Sequence, residues 1–581
     1  MLAAADPSLS APPRARVPLV VNLLLGFLTS VLLDFCFPVA GPLHRWQPFL
    51  AWIALVPLLA GLLNERSAAH PRYLSRAAFT AYLSGVLWYV LNCYWIYQTM
   101  LYYGGGIPPI GCAGIVLLFS AVLGLYFGVF GLLTAFFRRR FGLTAALLLA
   151  PFLWTALDLA AARITSVPWD QLGYSQVDNL WITRLAPVTG VYGITFVLVL
   201  ANALLLAIWT TRGRANIRIR AVTAIVALLA ILSFLLSKPP TPAPTSSTAV
   251  LLQDNLSVDR DNSWVGQVYN QQTHTWVPLW NRNIDAFLNA SERPCTPYYP
   301  GLPETGLKLQ QPTGCSAQTP ISLIAWPEAP SPFRGWDPRF TSAMAALTQL
   351  TGATAVAGNI AAGVITGSAG VPAYTEYNSA TVFAPNGQQI GRYDKIHLVP
   401  FGEYVPYRSV FFFAHHLTQQ IGDFGRGTRR FVFPTADGHS FGVFICYESV
   451  FADEVRLFAR NGAQVLVNIS DDGWYGDTSA PWQHLNMSRM RAVENRRWLL
   501  LDTNSGITAA IDPYGRVTQS APRHVFTSLA AKYGYRSRLT FYTRYGDLFA
   551  YLCCVIVIAA LALALLRKKT SPQLSAPSPR E

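Results

Sequence analysis

Long apolar segments, unevenly distributed along the chain, are the feature that most restricts how this sequence can fold. Seven lie in the first 240 residues and an eighth near the C-terminus, at about 17–36, 47–63, 77–97, 109–137, 143–163, 187–209, 218–237 and 548–566. A helix needs about 20 mostly apolar residues to cross the roughly 30 Å hydrocarbon core of a membrane. The pattern therefore predicts an integral membrane protein whose eight spans bracket one long polar region.

The distribution of basic residues predicts the orientation of these spans. Arginines and lysines concentrate in the two tails and in alternate connections, while the connections between these carry few. The concentrated basic residues are Arg14, Arg16, Arg66, Arg72, Arg76, Arg138, Arg139, Arg140, Arg212, Arg214, Arg218, Arg220, Arg567, Lys568 and Lys569. Loops rich in arginine and lysine usually stay on the cytoplasmic side of the membrane. We therefore predict cytoplasmic termini and an outer domain, and we read the net charge of +14 as a topology signal rather than as a nucleic-acid surface.

Composition changes abruptly after a Pro/Thr-rich stretch at 238–248. Beyond it, short apolar runs such as ISLIAW (321–326) and SFGVFICY (440–447) alternate with helix-like segments, which is typical of an α/β domain. The predicted organisation is as follows: a tail at 1–16, a bundle of spans 1–7 at 17–237, a linker at 238–248, an outer catalytic domain at 249–546, span 8 at 547–569 and a tail at 570–581.

Three reactive side chains lie at the ends of predicted strands or close to them. Glu328 follows LIAW, Lys395 stands in RYDKIHLVPFGEYVP, and Cys446 ends GVFIC. A thiol becomes a strong nucleophile when it loses its proton; a carboxylate can accept that proton, and an ammonium group favours the anionic form and stabilises an oxyanion. The spacing of these three residues along the chain does not show that they form one site, and each residue alone has an ordinary structural explanation.

The surrounding motifs carry a family resemblance. They are PWDQLGYSQ (168–176), WPE (326–328), YNSA (377–380), YDKIHLVPFGEYVP (393–406), CYE (446–448), DGWYGDTSAPWQH (472–484) and RMRAVENRR (489–497). With them the chain resembles the carbon–nitrogen hydrolase (nitrilase) superfamily, and more closely the bacterial apolipoprotein N-acyltransferases. The resemblance implies an αββα sandwich joined to a membrane bundle of about eight spans.

The same resemblance implies roles for individual residues. Glu328 would be the general base, Lys395 the oxyanion-stabilising residue and Cys446 the nucleophile. Glu403 would support the acyl-transfer site, Tyr447 and Glu448 would lie beside the nucleophile, and Trp264 and Trp474 would belong to substrate-gating or mobile loops. Two departures from the family pattern are Asp471, where the family often has Asn, and Arg163, which is displaced from the usual basic position.

The implied reaction is acyl transfer from a phospholipid to the N-terminal diacylglyceryl-cysteine of apolipoproteins, at the outer face of the bacterial inner membrane. No cofactor or metal is expected. A membrane-anchored amidase or nitrilase acting on C–N bonds is the alternative enzyme, and a catalytically silent scaffold or transporter is a third possibility. Residues 282–320 resemble an insertion, in which we predict a disulfide between Cys295 and Cys315 on the oxidising side of the membrane.

Overall fold

The computed structural model describes residues 19–210, 240–256, 267–270, 274–292, 321–328, 333–366, 372–400, 402–404 and 424–566, with isolated positions between 213 and 227. The first of these ranges is helical. Its α-helices are Leu19–Asp34, Gln47–Leu50, Val56–Leu63, Glu65–Ala68, Tyr73–Asn92, Trp95–Tyr103, Pro109–Phe141, Leu143–Ala160, Ala186–Thr189 and Val191–Thr210.

Among the described residues, four helices are long and apolar enough to cross a membrane: Pro109–Phe141, Leu143–Thr165 with its terminal π-helical turn, Val191–Thr210 and Leu548–Leu566. The first predicted span forms a shorter apolar helix, Leu19–Asp34. The predicted span at 218–237 lies largely outside the described residues. A helical membrane region is therefore present, while the count of eight spans stays a prediction.

The prediction of one continuous helix over 47–63 was wrong. This segment forms two short helices, Gln47–Leu50 and Val56–Leu63, separated by a turn. Each has a proline at its first or second position. Proline fits the first turn of a helix but cannot supply the N–H that a continuing helix needs. Each of these prolines therefore favours the start of a new helix over the continuation of one long helix.

Among its described residues, the domain that precedes the last apolar helix contains two six-stranded sheets, ordered β14-β1-β4-β5-β6-β7 and β13-β12-β11-β10-β9-β8, and a separate β2-β3 hairpin, with strands numbered in chain order. The strands are β1 Ser247–Gln253, β2 Gln267–Asn270, β3 Thr275–Pro278, β4 Ile321–Trp326, β5 Thr354–Thr366, β6 Pro372–Phe383, β7 Gln389–Asp394, β8 Val432–Pro434, β9 Ser440–Ile445, β10 Val465–Ser470, β11 Trp498–Thr503, β12 Ala509–Ile511, β13 Val517–Ser520 and β14 Thr527–Tyr533. The helices are Leu279–Glu292, Pro338–Thr351, Ala452–Arg460, Ala480–Asn495 and Phe541–Tyr545.

The side chains of the central strands alternate between two hydrophobic cores, and this alternation explains the layered packing. In β1, Ala249 and Leu251 join a core with residues of β9, β10 and β11, whereas Val250 and Leu252 pack with the helices Leu279–Glu292 and Pro338–Thr351. Successive side chains of a strand point to opposite faces, so a strand that is apolar throughout is buried on both sides. The result is the predicted α-β-β-α order of layers. β1 starts at Ser247, inside the predicted linker, because Ser247 and Thr248 pair with β14.

Arg163 connects the membrane region to the catalytic domain and to the last apolar helix. Its guanidinium forms an ion pair with Asp453 at 2.5 Å and a second ion pair with Asp547, which also accepts a hydrogen bond from Tyr542. Asp453 lies in the helix Ala452–Arg460, and Asp547 lies directly before Leu548–Leu566. The displaced basic residue therefore fixes how three parts of the chain meet.

Candidate active site

The three predicted reactive residues meet between the two sheets. Glu328 follows β4 by two residues, Lys395 follows β7 directly, and Cys446 follows β9 directly. All three are buried, with relative exposures of 5%, 1% and 6%. Strand ends bring distant parts of the sequence together at one edge of each sheet, which is why residues so far apart along the chain become neighbours.

Lys395 is the centre of a compact hydrogen-bonded group. Its Nζ donates to Glu328 Oε1 and to Glu403 Oε1, both at 2.9 Å. Asn378 Nδ2 donates to the same two oxygens, at 2.6 Å and 2.7 Å. The second oxygen of each glutamate accepts a backbone N–H, from Asp471 for Glu328 at 3.0 Å and from Val399 for Glu403 at 2.8 Å. Both carboxylates are thereby held in one orientation.

The electrostatics of this group favour an ionised Glu328 beside a neutral thiol. Burial would raise the pKa of Glu328, but the Lys395 ammonium and the hydrogen bonds from Lys395, Asn378 and Cys446 bring it below its usual value. The pKa of Lys395 is raised, because the Glu328 and Glu403 carboxylates outweigh the effect of burial. Burial and the Glu328 charge raise the pKa of the Cys446 thiol, and Lys395 offsets this only in part.

Cys446 occupies a left-handed backbone conformation at the start of a tight turn. Its φ is +51°, and the 3₁₀ turn Cys446–Val450 begins with it. A non-glycine residue is uncommon in this region of backbone space, and such residues concentrate at functional sites. Two buried side chains contact its carbonyl oxygen, His484 Nε2 at 3.3 Å and Asn468 Nδ2 at 3.4 Å.

His484 is in turn held by a buried carboxylate. Its Nδ1 lies 3.1 Å from Asp472 Oδ1, and its Nε2 also lies 2.6 Å from Ser449 Oγ within the nucleophile turn. The pKa of His484 is raised, because the Asp472 charge outweighs the effect of burial. The Asp472–His484 pair therefore supports both ends of the turn that presents Cys446.

Glu448 ties the lysine segment to the nucleophile strand. Its Oε1 accepts from Ile396 N at 2.7 Å and from His397 N at 3.0 Å, and its Oε2 accepts from Ile445 N at 2.8 Å. The Tyr393 hydroxyl donates to both oxygens. Since Ile396 adjoins Lys395 and Ile445 adjoins Cys446, one buried carboxylate sets the spacing between the two reactive residues.

Replacing Glu448 with Gln is expected to lower the unfolding midpoint clearly and to reduce activity. An amide nitrogen cannot accept from a backbone N–H, and a buried N–H without an acceptor costs about 1–3 kcal/mol. The matched control is Glu376→Gln, which removes a partly exposed ion pair with Arg334 and should cost under about 1 kcal/mol. Thermal unfolding in detergent compares the two. Equal midpoints would contradict the positioning role of Glu448.

The nucleophile turn contacts the membrane region directly. Tyr447 donates from its hydroxyl to Ser166 O at 3.0 Å, and its ring stacks on Trp169 at 6.3 Å between centroids and 16° between planes. Ser166 and Trp169 lie just beyond the apolar helix that ends at Thr165, in the connection that contains PWDQLGYSQ. The site therefore lies at the junction between the catalytic domain and the membrane helices.

The loop that carries Trp474 docks on the helix Trp95–Tyr103. Thr99 Oγ1 donates to Trp474 O at 3.0 Å, and the Trp474 ring packs edge-on against Tyr103 with centroids 5.1 Å apart. Asp471, the departure from the family pattern, accepts from Gly473 N at 3.1 Å and from Asn504 Nδ2 at 2.7 Å. It therefore organises this loop from within, while its own backbone N–H binds Glu328.

The structure brings together Glu328, Lys395, Cys446 and Glu403, with Tyr447 and Glu448 beside them. Trp264, Cys295 and Cys315 lie outside the described residues, so their predicted roles stay predictions. Asn378 and His484 had no predicted role, although both lie in motifs that carry the resemblance, YNSA and DGWYGDTSAPWQH. Within the described ranges, no three His, Cys, Asp or Glu side chains are grouped to hold a metal ion.

Fold and site together define a class: a carbon–nitrogen hydrolase-type domain joined to a helical membrane region. The carbon–nitrogen hydrolase family profile matches residues 272–529, and the apolipoprotein N-acyltransferase N-terminal domain profile matches residues 29–204. The apolipoprotein N-acyltransferase of Geobacter metallireducens is 32% identical, covering 98% of both chains. That of Chlorobaculum tepidum is 30% identical, covering 94% of this chain and 97% of the relative. The chain belongs to the apolipoprotein N-acyltransferase family.

Among solved structures, yeast Nit3, a nitrilase-superfamily member, is similar at 15% identity and a TM-score of 0.31. The match covers 50% of this chain and 92% of Nit3.

Proposed function

We propose that this enzyme transfers an acyl chain from a phospholipid to the α-amine of the N-terminal diacylglyceryl-cysteine of apolipoproteins, through a thioester on Cys446. Family membership over nearly the whole chain supports the reaction. The observation that carries the proposal is the contact of Tyr447 with Ser166 and Trp169, because it joins the nucleophile turn to the membrane region. A hydrolase of small soluble amides has no use for that contact.

The proposed setting is the bacterial inner membrane, with about eight spans, both termini in the cytoplasm and the catalytic domain in the periplasm. The four long apolar helices and the alternating distribution of basic residues support this arrangement. In it, the site faces the outer leaflet, where a phospholipid ester and the lipid-bearing end of an apolipoprotein can both reach Cys446. No cofactor is proposed.

In the first half-reaction, the ionised Glu328 carboxylate takes the Cys446 proton as sulfur attacks the ester carbonyl. An ammonium group has three N–H donors, and two of those on Lys395 are occupied by Glu328 and Glu403. The third would donate to the oxyanion together with the backbone N–H of Tyr447. Collapse breaks the ester C–O bond, and Glu328 returns the proton to the departing lysophospholipid oxygen, leaving the thioester.

In the second half-reaction, Glu328 takes a proton from the α-amine as nitrogen attacks the thioester carbonyl. The C–S bond breaks, the acyl amide leaves, and the proton restores the Cys446 thiol. Donor and acceptor use one site in turn, so the kinetics would be ping-pong. Glu403 would hold the ammonium in place throughout, and Trp474 and Trp264 would belong to loops that admit the substrates.

The proposal is tested by supplying the purified enzyme with a phospholipid labelled in its acyl chains and a diacylated lipopeptide. The expected product is triacylated lipopeptide, with Cys446→Ala as the inactive control. Release of the label only as free fatty acid, with no transfer to the amine, would favour the hydrolase alternative. Absence of both products from the wild-type enzyme would contradict the proposal.

A further inference from the structure

Tyr475 lies where the catalytic domain meets the membrane region, at the end of the short 3₁₀ turn Asp472–Tyr475. Its ring packs against two rings of the membrane region. The Trp95 ring lies edge-on to it, with centroids 5.1 Å apart and planes at 79°, and the Trp169 ring lies at 6.1 Å and 62°. Tyr475 is only 8% exposed. The two tryptophan rings therefore fix the position of its hydroxyl group.

Two shared neighbours place the Tyr475 ring close to the nucleophile. Trp169 also stacks on Tyr447, the residue after Cys446, with ring centroids 6.3 Å apart. The ring of His484 lies 6.4 Å from the Tyr475 ring, and His484 Nε2 lies 3.3 Å from the carbonyl oxygen of Cys446. Tyr475 therefore borders the reaction site on the side that faces the membrane region.

The hydroxyl is the part of the Tyr475 side chain that can bind a ligand. Within the described part of the chain, no protein group forms a hydrogen bond with it, and its oxygen is not one of the fully enclosed polar atoms that lack a partner. Burial raises the pKa of Tyr475 well above its ordinary value, and the acidic groups of Cys446 and Asp472 raise it further. The hydroxyl therefore stays protonated at neutral pH and can donate a hydrogen bond.

We infer that the Tyr475 hydroxyl binds the phospholipid at its glycerol ester and donates a hydrogen bond to the alkyl oxygen that leaves in the first half-reaction. This inference rests on the proposed function, because it assigns a further residue to that reaction. The donors to the ester carbonyl oxygen, Lys395 Nζ and the backbone N–H of Tyr447, belong to the catalytic domain. The glycerol carries the headgroup and a second acyl chain, so it points towards the membrane region. The Trp95 and Trp169 rings hold the Tyr475 hydroxyl on that side.

This hydrogen bond acts in only one of the two half-reactions. As the ester C–O bond breaks, negative charge develops on the alkyl oxygen, and a donor positioned there stabilises it until Glu328 returns the proton. The second half-reaction breaks a C–S bond and involves no alkyl oxygen. Tyr475 therefore affects how fast phospholipid loads Cys446, and not how fast the amine takes the acyl chain from it.

The test is Tyr475→Phe in the full-length enzyme, which removes the hydroxyl and keeps the ring. With labelled phospholipid, single-turnover thioester formation is expected to slow about tenfold or more, because one hydrogen bond to a developing charge is lost. With a para-nitrophenyl ester of the same fatty acid, the loss should be under about twofold, because a weakly basic leaving oxygen needs little help from a donor. Transfer from the loaded thioester to the diacylated lipopeptide should keep the wild-type rate. The unfolding midpoint should also stay unchanged.

The matched control is Tyr545→Phe, at an exposed tyrosine of the short helix Phe541–Tyr545, which should match the wild-type enzyme with both esters. A wild-type rate of Tyr475→Phe with phospholipid overturns the inference. Equal losses with both esters, slower transfer to the lipopeptide or a lowered unfolding midpoint also overturn it, because each places the effect of the hydroxyl elsewhere than on the leaving oxygen. Wild-type enzyme that forms no thioester contradicts the proposed function itself, so the two failures are distinguishable.

Discussion

Replacement of Lys395 with Met is expected to abolish acyl transfer and to destabilise the catalytic domain. The change removes the ammonium that lies 2.9 Å from both Glu328 and Glu403, so two buried carboxylates face one another without a counter-ion. Removing one partner of a buried ion pair costs about 3–5 kcal/mol. Loss of an oxyanion donor alone lowers turnover by about 10²–10³-fold. The measurements are thermal unfolding and transfer of labelled acyl chains.

A double variant separates these two effects. Lys395→Met/Glu403→Gln removes one of the two uncompensated charges, so much of the lost stability should return while activity stays absent. Lys532→Met is the matched control, because Lys532 is an exposed lysine of the same domain and should change neither property. Restored activity in the double variant would contradict the assignment of Lys395 to the oxyanion. An unfolding midpoint for Lys395→Met equal to that of Lys532→Met would contradict the electrostatic account.

Replacement of Glu328 with Gln is expected to slow thioester formation by about 10²–10⁴-fold, the usual contribution of a positioned general base. The matched variant is Glu403→Gln. Both glutamates accept hydrogen bonds from Lys395 and Asn378, but Glu328 also accepts one from the Cys446 thiol. We therefore expect a loss of about tenfold or less for Glu403→Gln. Equal losses in single-turnover experiments would contradict the assignment of the base to Glu328.

The pH dependence of thioester formation provides an independent test of the same assignment. Because the pKa of Glu328 is lowered below its ordinary 4.5, the base stays ionised as pH falls through 5, and the rate should decline only below pH 4.5. In Glu328→Gln the pH-independent plateau above pH 4.5 should be lost. The rate should instead rise with pH as thiolate forms, since the pKa of Cys446 is raised above its ordinary 9.0. A pH-independent rate in this variant would contradict the base mechanism.

The sequence predicted that Glu328, Lys395 and Cys446 belong to one site, but not how these residues contact one another or that Asn378 and His484 support them. The strand ends and the motifs identified Glu328, Lys395 and Cys446. They did not reveal that Lys395 is shared between two carboxylates, because Glu403 and Asn378 reach it through separate loops and strands. Contacts of this kind depend on the packing of two sheets, and no local pattern records them.

Other features were missed for reasons that are also physical. Glu448 was expected beside the nucleophile, yet its role depends on backbone N–H groups, which every sequence carries alike. The break within 47–63 was missed because its apolar composition resembles that of a span, although Pro48 and Pro57 were visible in it. The role of the displaced Arg163 was missed because its partners Asp453 and Asp547 are distant from it in sequence.

The most direct test of the central claim is the mass of the enzyme after exposure to phospholipid without any acceptor. The account predicts a single added acyl chain, located by peptide mapping on Cys446, labile to hydroxylamine as a thioester, and removed when the diacylated lipopeptide is added. Cys446→Ala should gain no mass. An acyl chain on another residue, or acyl transfer by the Cys446→Ala variant, would contradict the account.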